Sequence, residues 1–180
     1  MKIAEQEYGA WKLETRIAAA LRTCLGEGMT RYSLNLVGIR EEWLVTTDGR
    51  RLLVVQGAHQ IGPGCHKLTQ DNYLLPAGED VKFPDWKVII PDMDTVQELG
   101  EFTDIAAPES VASLVCRINK GADAAVRLDL LLPVMSALAA FLMPVSVYAN
   151  KKNSGEMPLM LKGELAAGVE FTYLQMPVRK

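Results

Sequence analysis

Few residues here are placed to do chemistry, and each also has a plain structural use. Thr47-Asp48-Gly49-Arg50-Arg51-Leu52 gathers a carboxylate and two arginines within six positions. Its Asp48-Gly49 step lies between apolar, β-branched runs, the short-range signature of a tight β-hairpin, so Asp48 is better used in a turn than in catalysis. His59, Cys65 and His66 are close enough in sequence to suggest metal ligands, but their spacing matches no standard zinc pattern and a fourth ligand is not evident. No serine, cysteine or histidine triad has a recognisable context, no glycine-rich phosphate loop follows a strand, and no carboxylate pair stands out. The expectation is a protein without catalytic residues, metal or cofactor.

The elements that position these residues follow from periodicity. Met1 to Gly9 gives at most a short strand. Trp11 to Leu25 reads as a helix, with Leu13, Ile17, Ala20, Leu21 and Cys24 on one side and Gly26 and Gly28 as the stop. Arg31 to Val37 alternates as a strand, and the hairpin strands Glu41 to Thr47 and Arg51 to Gln56 follow. Gly57 to Asp80 reads as a loop, broken by Gly62-Pro63-Gly64 and Pro76-Ala77-Gly78. Phe83 to Trp86 reads as a turn entering a short buried strand, Val88 to Pro91. Asp92 to Pro108 is acidic and irregular, with a short helix near Thr95 to Leu99. Val111 to Ile118 and Ala124 to Asp129 look like strands. Leu130 to Leu142 is helical, with Pro133 tolerable only in its first turn. Three strands close the chain, Pro144 to Asn150, Pro158 to Leu165 and Val169 to Met176.

A helix followed by a three-strand meander thus occurs twice, without sequence identity between the halves. One side of a sheet formed by both meanders buries both helix stripes, an α+β arrangement in a single domain. Its first unit spans about 1–91, its second about 109–180, and an irregular connection covers 92–108. A chain of 180 residues, 49% apolar and 23% charged, suits one soluble domain. A net charge of −3 gives no general attraction to nucleic acid. No apolar run reaches membrane-spanning length, and three distant cysteines fit a reducing cytoplasm.

Four patches in order carry a resemblance to bacterial DNA sliding clamps, the β subunit of the replicative DNA polymerase. Arg31-Tyr32-x-Leu34-Asn35 precedes Thr47 to Leu52, which resembles the clamp's Thr-Asp-Gly-His-Arg-Leu. Phe83-Pro84-Asp85-Trp86 and Pro91 resemble its Phe-Pro-Asp-Tyr…Pro linker, and Met176-Pro177-Val178-Arg179 resembles its Met-Pro-Met-Arg ending. The resemblance implies a DNA-clamp-like fold of two β-α-β-β-β units, with both helices packed on one side of antiparallel sheet. It implies a pocket for short peptides of polymerase or loader-type proteins, lined by Thr47, Gly49, Arg50, Arg51, Leu52, Pro91, Leu174, Gln175, Met176, Pro177, Val178 and Arg179. Aliphatic walls and a soft methionine suit apolar anchors, while arginine and backbone groups fix polar atoms. Arg50 and Val178 depart from the family's histidine and methionine, and Lys180 from its terminal leucine.

In clamps the two halves of that pocket come from neighbouring domains; if here they lie at opposite ends of the sheet, one short chain carrying both forms the pocket only between head-to-tail copies, a homo-oligomer. The family's DNA-holding surface falls on Lys12, Arg16 and Arg22, for which a solvated helix face balanced by Glu7 and Glu14 is an equal reading. The second helix would present Leu132, Ser136, Ala139 and Ala140, an uncharged face better suited to protein packing than to duplex DNA. The expected function is a non-enzymatic tether in DNA replication. Its alternative is a peptide-binding adaptor that never surrounds DNA.

Overall fold

A computed structural model describes residues 1–27, 34–78, 81–105, 107–121, 126–150 and 158–176. Eleven strands form one antiparallel sheet. They are β1 (Ala4–Glu7), β2 (Ala10–Leu13), β3 (Val37–Arg40), β4 (Trp43–Thr47), β5 (Arg51–Gly57), β6 (Gly64–Leu68), β7 (Tyr73–Pro76), β8 (Val96–Phe102), β9 (Val145–Asn150), β10 (Leu159–Ala166) and β11 (Val169–Gln175). Their order across the sheet is β1-β2-β7-β6-β3-β4-β5-β11-β10-β9-β8. Three α-helices accompany them, α1 (Thr15–Arg22), α2 (Pro108–Gly121) and α3 (Leu128–Ala139). Among the described residues no helix is long and apolar enough to cross a membrane.

Two units of β-α-β-β-β are not what the chain builds, and the clamp-like α+β expectation is corrected. The chain up to β7 runs β-β-α-β-β-β-β-β, and from β8 onward it runs β-α-α-β-β-β, all in one continuous sheet. The main addition is the β6–β7 hairpin, inside the stretch read as a loop. Its turn is made by side chain and backbone together: the Thr69 hydroxyl accepts from the Tyr73 amide at 3.0 Å, and Asn72 takes a left-handed φ of 71°. Asparagine tolerates that conformation, so neither glycine nor proline marks the turn.

The other departures have equally local causes. Val111, Leu114, Val115 and Ile118 recur at helical spacing, and α2 buries Leu114 and Ile118, where β-branched content suggests a strand. The stretch from Thr95 to Leu99 lies mostly in β8, which pairs with β9 through a bulge between Glu98 and Gly100. The Trp86–Ile89 segment is a 3-10 turn with Val88 76% exposed, not a buried strand. Pro133 sits beyond the first turn of α3. α1 begins only at Thr15, where the Glu14 carboxylate caps it by accepting from the Arg16 and Ile17 amides at 2.8 and 3.0 Å. The first strand of the meander runs over β3; residues 31–33 of the expected strand lie outside the described residues.

Alternation divides the centre of the sheet into two buried faces. One carries Leu44, Leu53, Val55, Phe171 and Tyr173 in a core with Ile17 and Leu21 of α1 and Leu131, Val134 and Leu138 of α3. The other carries Val45, Leu52, Val54, Met160 and Leu174, clustered with Trp86 and Ile90 of the connecting segment and Val96 of β8. There Trp43 and Trp86 stack with ring centroids 4.9 Å apart. Each fully buried leucine or valine contributes about 1.5–3 kcal/mol.

Half-buried His59 and buried His66 carry a cost. His59 has both ring nitrogens, and His66 its Nδ1, buried without a hydrogen-bond partner. Burial holds both below the ordinary value of 6.5; Glu42 opposes this weakly at His59, and a backbone hydrogen bond with Gly64 does so at His66. The unfolded chain therefore binds more protons than the native one as pH falls through about 6.5. Stability is expected to decline as pH falls below about 6.5, before the carboxylates titrate. Urea unfolding across this window checks it, and a flat midpoint would contradict it.

Candidate functional site

The β4–β5 turn is built around one carboxylate. Asp48 Oδ1 accepts from the amides of Arg50 and Arg51 at 2.8 and 2.7 Å, and Oδ2 accepts from Arg51 Nε at 2.9 Å. Thr47 Oγ1 donates to the Arg51 carbonyl at 2.6 Å and accepts from the Gly49 amide at 3.1 Å. Gly49, at φ 84°, supplies the left-handed residue this turn requires. β11 runs directly beside the turn. Gln175 pairs with Arg51 and Leu174 with Leu52, and the Met176 amide donates to the Arg50 carbonyl at 2.9 Å.

The two expected halves of the peptide site therefore meet within one chain. Head-to-tail copies are required only where these halves lie apart, and here they lie side by side. Pro177, Val178 and Arg179 lie outside the described residues.

Strand alternation separates the residues that were grouped by sequence. Leu52 and Leu174 face the connecting segment, in the cluster that includes Ile90, next to the buried Pro91. Both leucines are essentially fully covered, so they form a floor and not the walls of an open pocket. Arg51 and Gln175 point the other way, toward α3. Arg51 Nη1 donates to the Leu130 carbonyl at 3.2 Å, Gln175 Nε2 donates to the Arg127 carbonyl at 3.0 Å, and the buried Tyr173 hydroxyl donates to Gln175 Oε1 at 3.1 Å. Nearby, burial pushes the Cys24 thiol up to about 12 and raises the Tyr173 phenol, so both stay neutral packing groups.

What remains open at the tip is Gly49, Arg50 and Met176. Arg50 is exposed, and its side chain makes no hydrogen bond or ion pair among the described residues. Met176 is 38% exposed. Sequence reasoning missed the α3 carbonyls of Arg127 and Leu130, which no local motif announces. Of the network, the use of Asp48 in the turn was legible; its pairing with Arg51, which was assigned to the peptide pocket, was not.

The expected DNA-contacting cations are all engaged within the chain. Lys12 lies on β2, not on α1, with Nζ 3.3 Å from Glu7 and 5.4 Å from the Tyr73 ring centroid. Arg16 pairs with Glu14 at 2.8 Å and stacks on Phe141. Arg22 donates to the carbonyls of Thr69 and Gln70. On α3, Leu132 and Ser136 are exposed, as is Ala140 at its end, and no lysine or arginine joins them. Among the described residues no three His, Cys, Asp or Glu side chains cluster as metal ligands, and Cys65 Sγ lies 3.7 Å from the Val81 carbonyl.

Compared with models of known protein families the chain matches none, and no curated protein matches it.

Neighbouring arginines should behave oppositely. The side chains of Arg51 and Asp48 are 12% and 15% exposed, so Arg51→Ala strands a half-buried carboxylate and is expected to cost about 3 kcal/mol. Arg50→Ala should lie within about 0.5 kcal/mol of wild type. Denaturant unfolding of the two variants measures the difference, and equal costs would refute the assignment.

Proposed function

We propose that this chain is a non-enzymatic binding module that holds a short linear peptide at the β4–β5 tip beside the end of β11. The observation that carries this reading is the pairing of Arg50 with Met176. The Arg50 carbonyl is tied to the Met176 amide, so a residue whose guanidinium has no partner among the described residues and one with an exposed thioether are neighbours at the turn. An arginine fork grips a peptide carboxylate or carbonyl, and a polarizable thioether adapts to an apolar anchor. The resemblance of Thr47 to Leu52 to the clamp segment that receives such peptides supports the same assignment. Three cysteines, all free, support work in a reducing compartment such as the cytoplasm.

Duplex DNA is the less supported partner. Phosphate binding draws on cations free to release counterions, and Lys12, Arg16 and Arg22 are each spent on internal contacts. The reading is therefore an adaptor ahead of a replication tether.

Fluorescence anisotropy with a labelled clamp-binding peptide tests it. Saturable binding is expected, weakened about tenfold by Arg50→Ala and similarly by Met176→Ala, and unaffected by Lys12→Ala. Absence of binding, or indifference to both tip variants, would refute it. Tight, steeply salt-dependent duplex binding lost on changing Lys12, Arg16 and Arg22 together would favour the tether instead.

A further inference from the structure

At the opposite end of β4 from the Asp48-Gly49 turn, a cleft of about 900 Å³ opens between β3, β6 and β7 and the segment around Phe83 and Trp86. That volume is at the upper end of what small-molecule sites occupy. Strand register tells which side chains face it. Cys65 pairs with Gly38, and Gly38 lies under Phe83, whose ring leaves no space for a β-carbon: one would sit 2.8 Å from Cδ1. Arg40, two residues on, pairs with Trp43, which stacks on Trp86. Lys67, two residues after Cys65, pairs with Leu75. Cys65, Leu75, Phe83 and Trp86 thus supply apolar lining to the cleft, and Arg40 lines it as well.

Among the described residues that line the cleft, Arg40 is the one lysine or arginine. The Arg40 side chain is exposed and makes no hydrogen bond or ion pair among the described residues. Asp85 is the one carboxylate among the lining residues described. A β-carbon at Gly62 or Gly64 would meet nothing within 4 Å, so the mouth stands open. We propose that this cleft binds a small amphiphilic anion, its apolar body against Leu75, Phe83 and Trp86 and its carboxylate, sulfonate or phosphate on the Arg40 guanidinium. Apolar burial supplies affinity, and the arginine fixes orientation through a charge-assisted hydrogen bond.

The test uses two fluorescent probes, the anionic 8-anilinonaphthalene-1-sulfonate and the neutral N-phenyl-1-naphthylamine, titrated into the full chain. One saturable site is expected, with the sulfonate at least tenfold tighter than the neutral probe. Arg40→Gln should weaken the sulfonate about ten- to a hundredfold and leave the neutral probe within twofold. Gly62→Trp should block both probes at unchanged thermal stability, and Arg50→Ala should change neither. Equal affinity for the two probes would overturn the proposal. So would a sulfonate titration that Arg40→Gln leaves intact, since that exposed side chain supports no internal contact whose loss could unfold the protein.

Discussion

The pairing of β5 with β11 is the constraint on which the molecule rests. It joins the two halves of the chain through seven consecutive register partners, from Val169 opposite Gly57 to Gln175 opposite Arg51. Over Leu52 to Val55 β5 is buried on both faces, so it needs apolar side chains pointing in both directions, whereas β11 leaves Glu170 exposed. That is why Leu52-Leu53-Val54-Val55 is a continuous apolar run and not an alternating one. Two separate cores follow from the same alternation, a large one under α1 and α3 and a smaller one under the connecting segment.

Polar chemistry enters at one end of this pairing. Where the strands finish, Arg51 and Gln175 replace apolar neighbours on the helix face, and each donates to a backbone carbonyl at the start of α3. Asp48 neutralises Arg51 and organises the turn at once, so the tip is fixed from beneath while Arg50 and Met176 are left to solvent. The ordered groups point inward, and Arg50 and Met176 point out.

What could be read from the sequence was the locally encoded part. The β4–β5 hairpin, the final three strands and α3 announce themselves by Asp48-Gly49, by period-two runs and by a helical stripe. β6, β7 and α2 did not, for different reasons. The hairpin depends on Thr69 and Asn72, whose turn chemistry lies in a side-chain hydroxyl and a tolerated left-handed backbone. α2 has the β-branched composition of a strand with the spacing of a helix, and the spacing decides. At the tip the residue types were legible but their directions were not. Adjacent Arg51 and Leu52 serve opposite faces, and their partners on α3 and in the connecting segment are remote in sequence.

The order of strands across the sheet also bears on how the molecule forms. β4 and β5 can meet as soon as both exist, whereas β5 must wait for β11, near the far end of the chain, before its second edge is satisfied. Closing so long a loop is entropically uphill until many contacts reward it at once, so assembly of the centre comes late. Until then β5 presents an apolar, hydrogen-bond-hungry border, and a nascent chain stalled at that stage exposes the surface most prone to self-association.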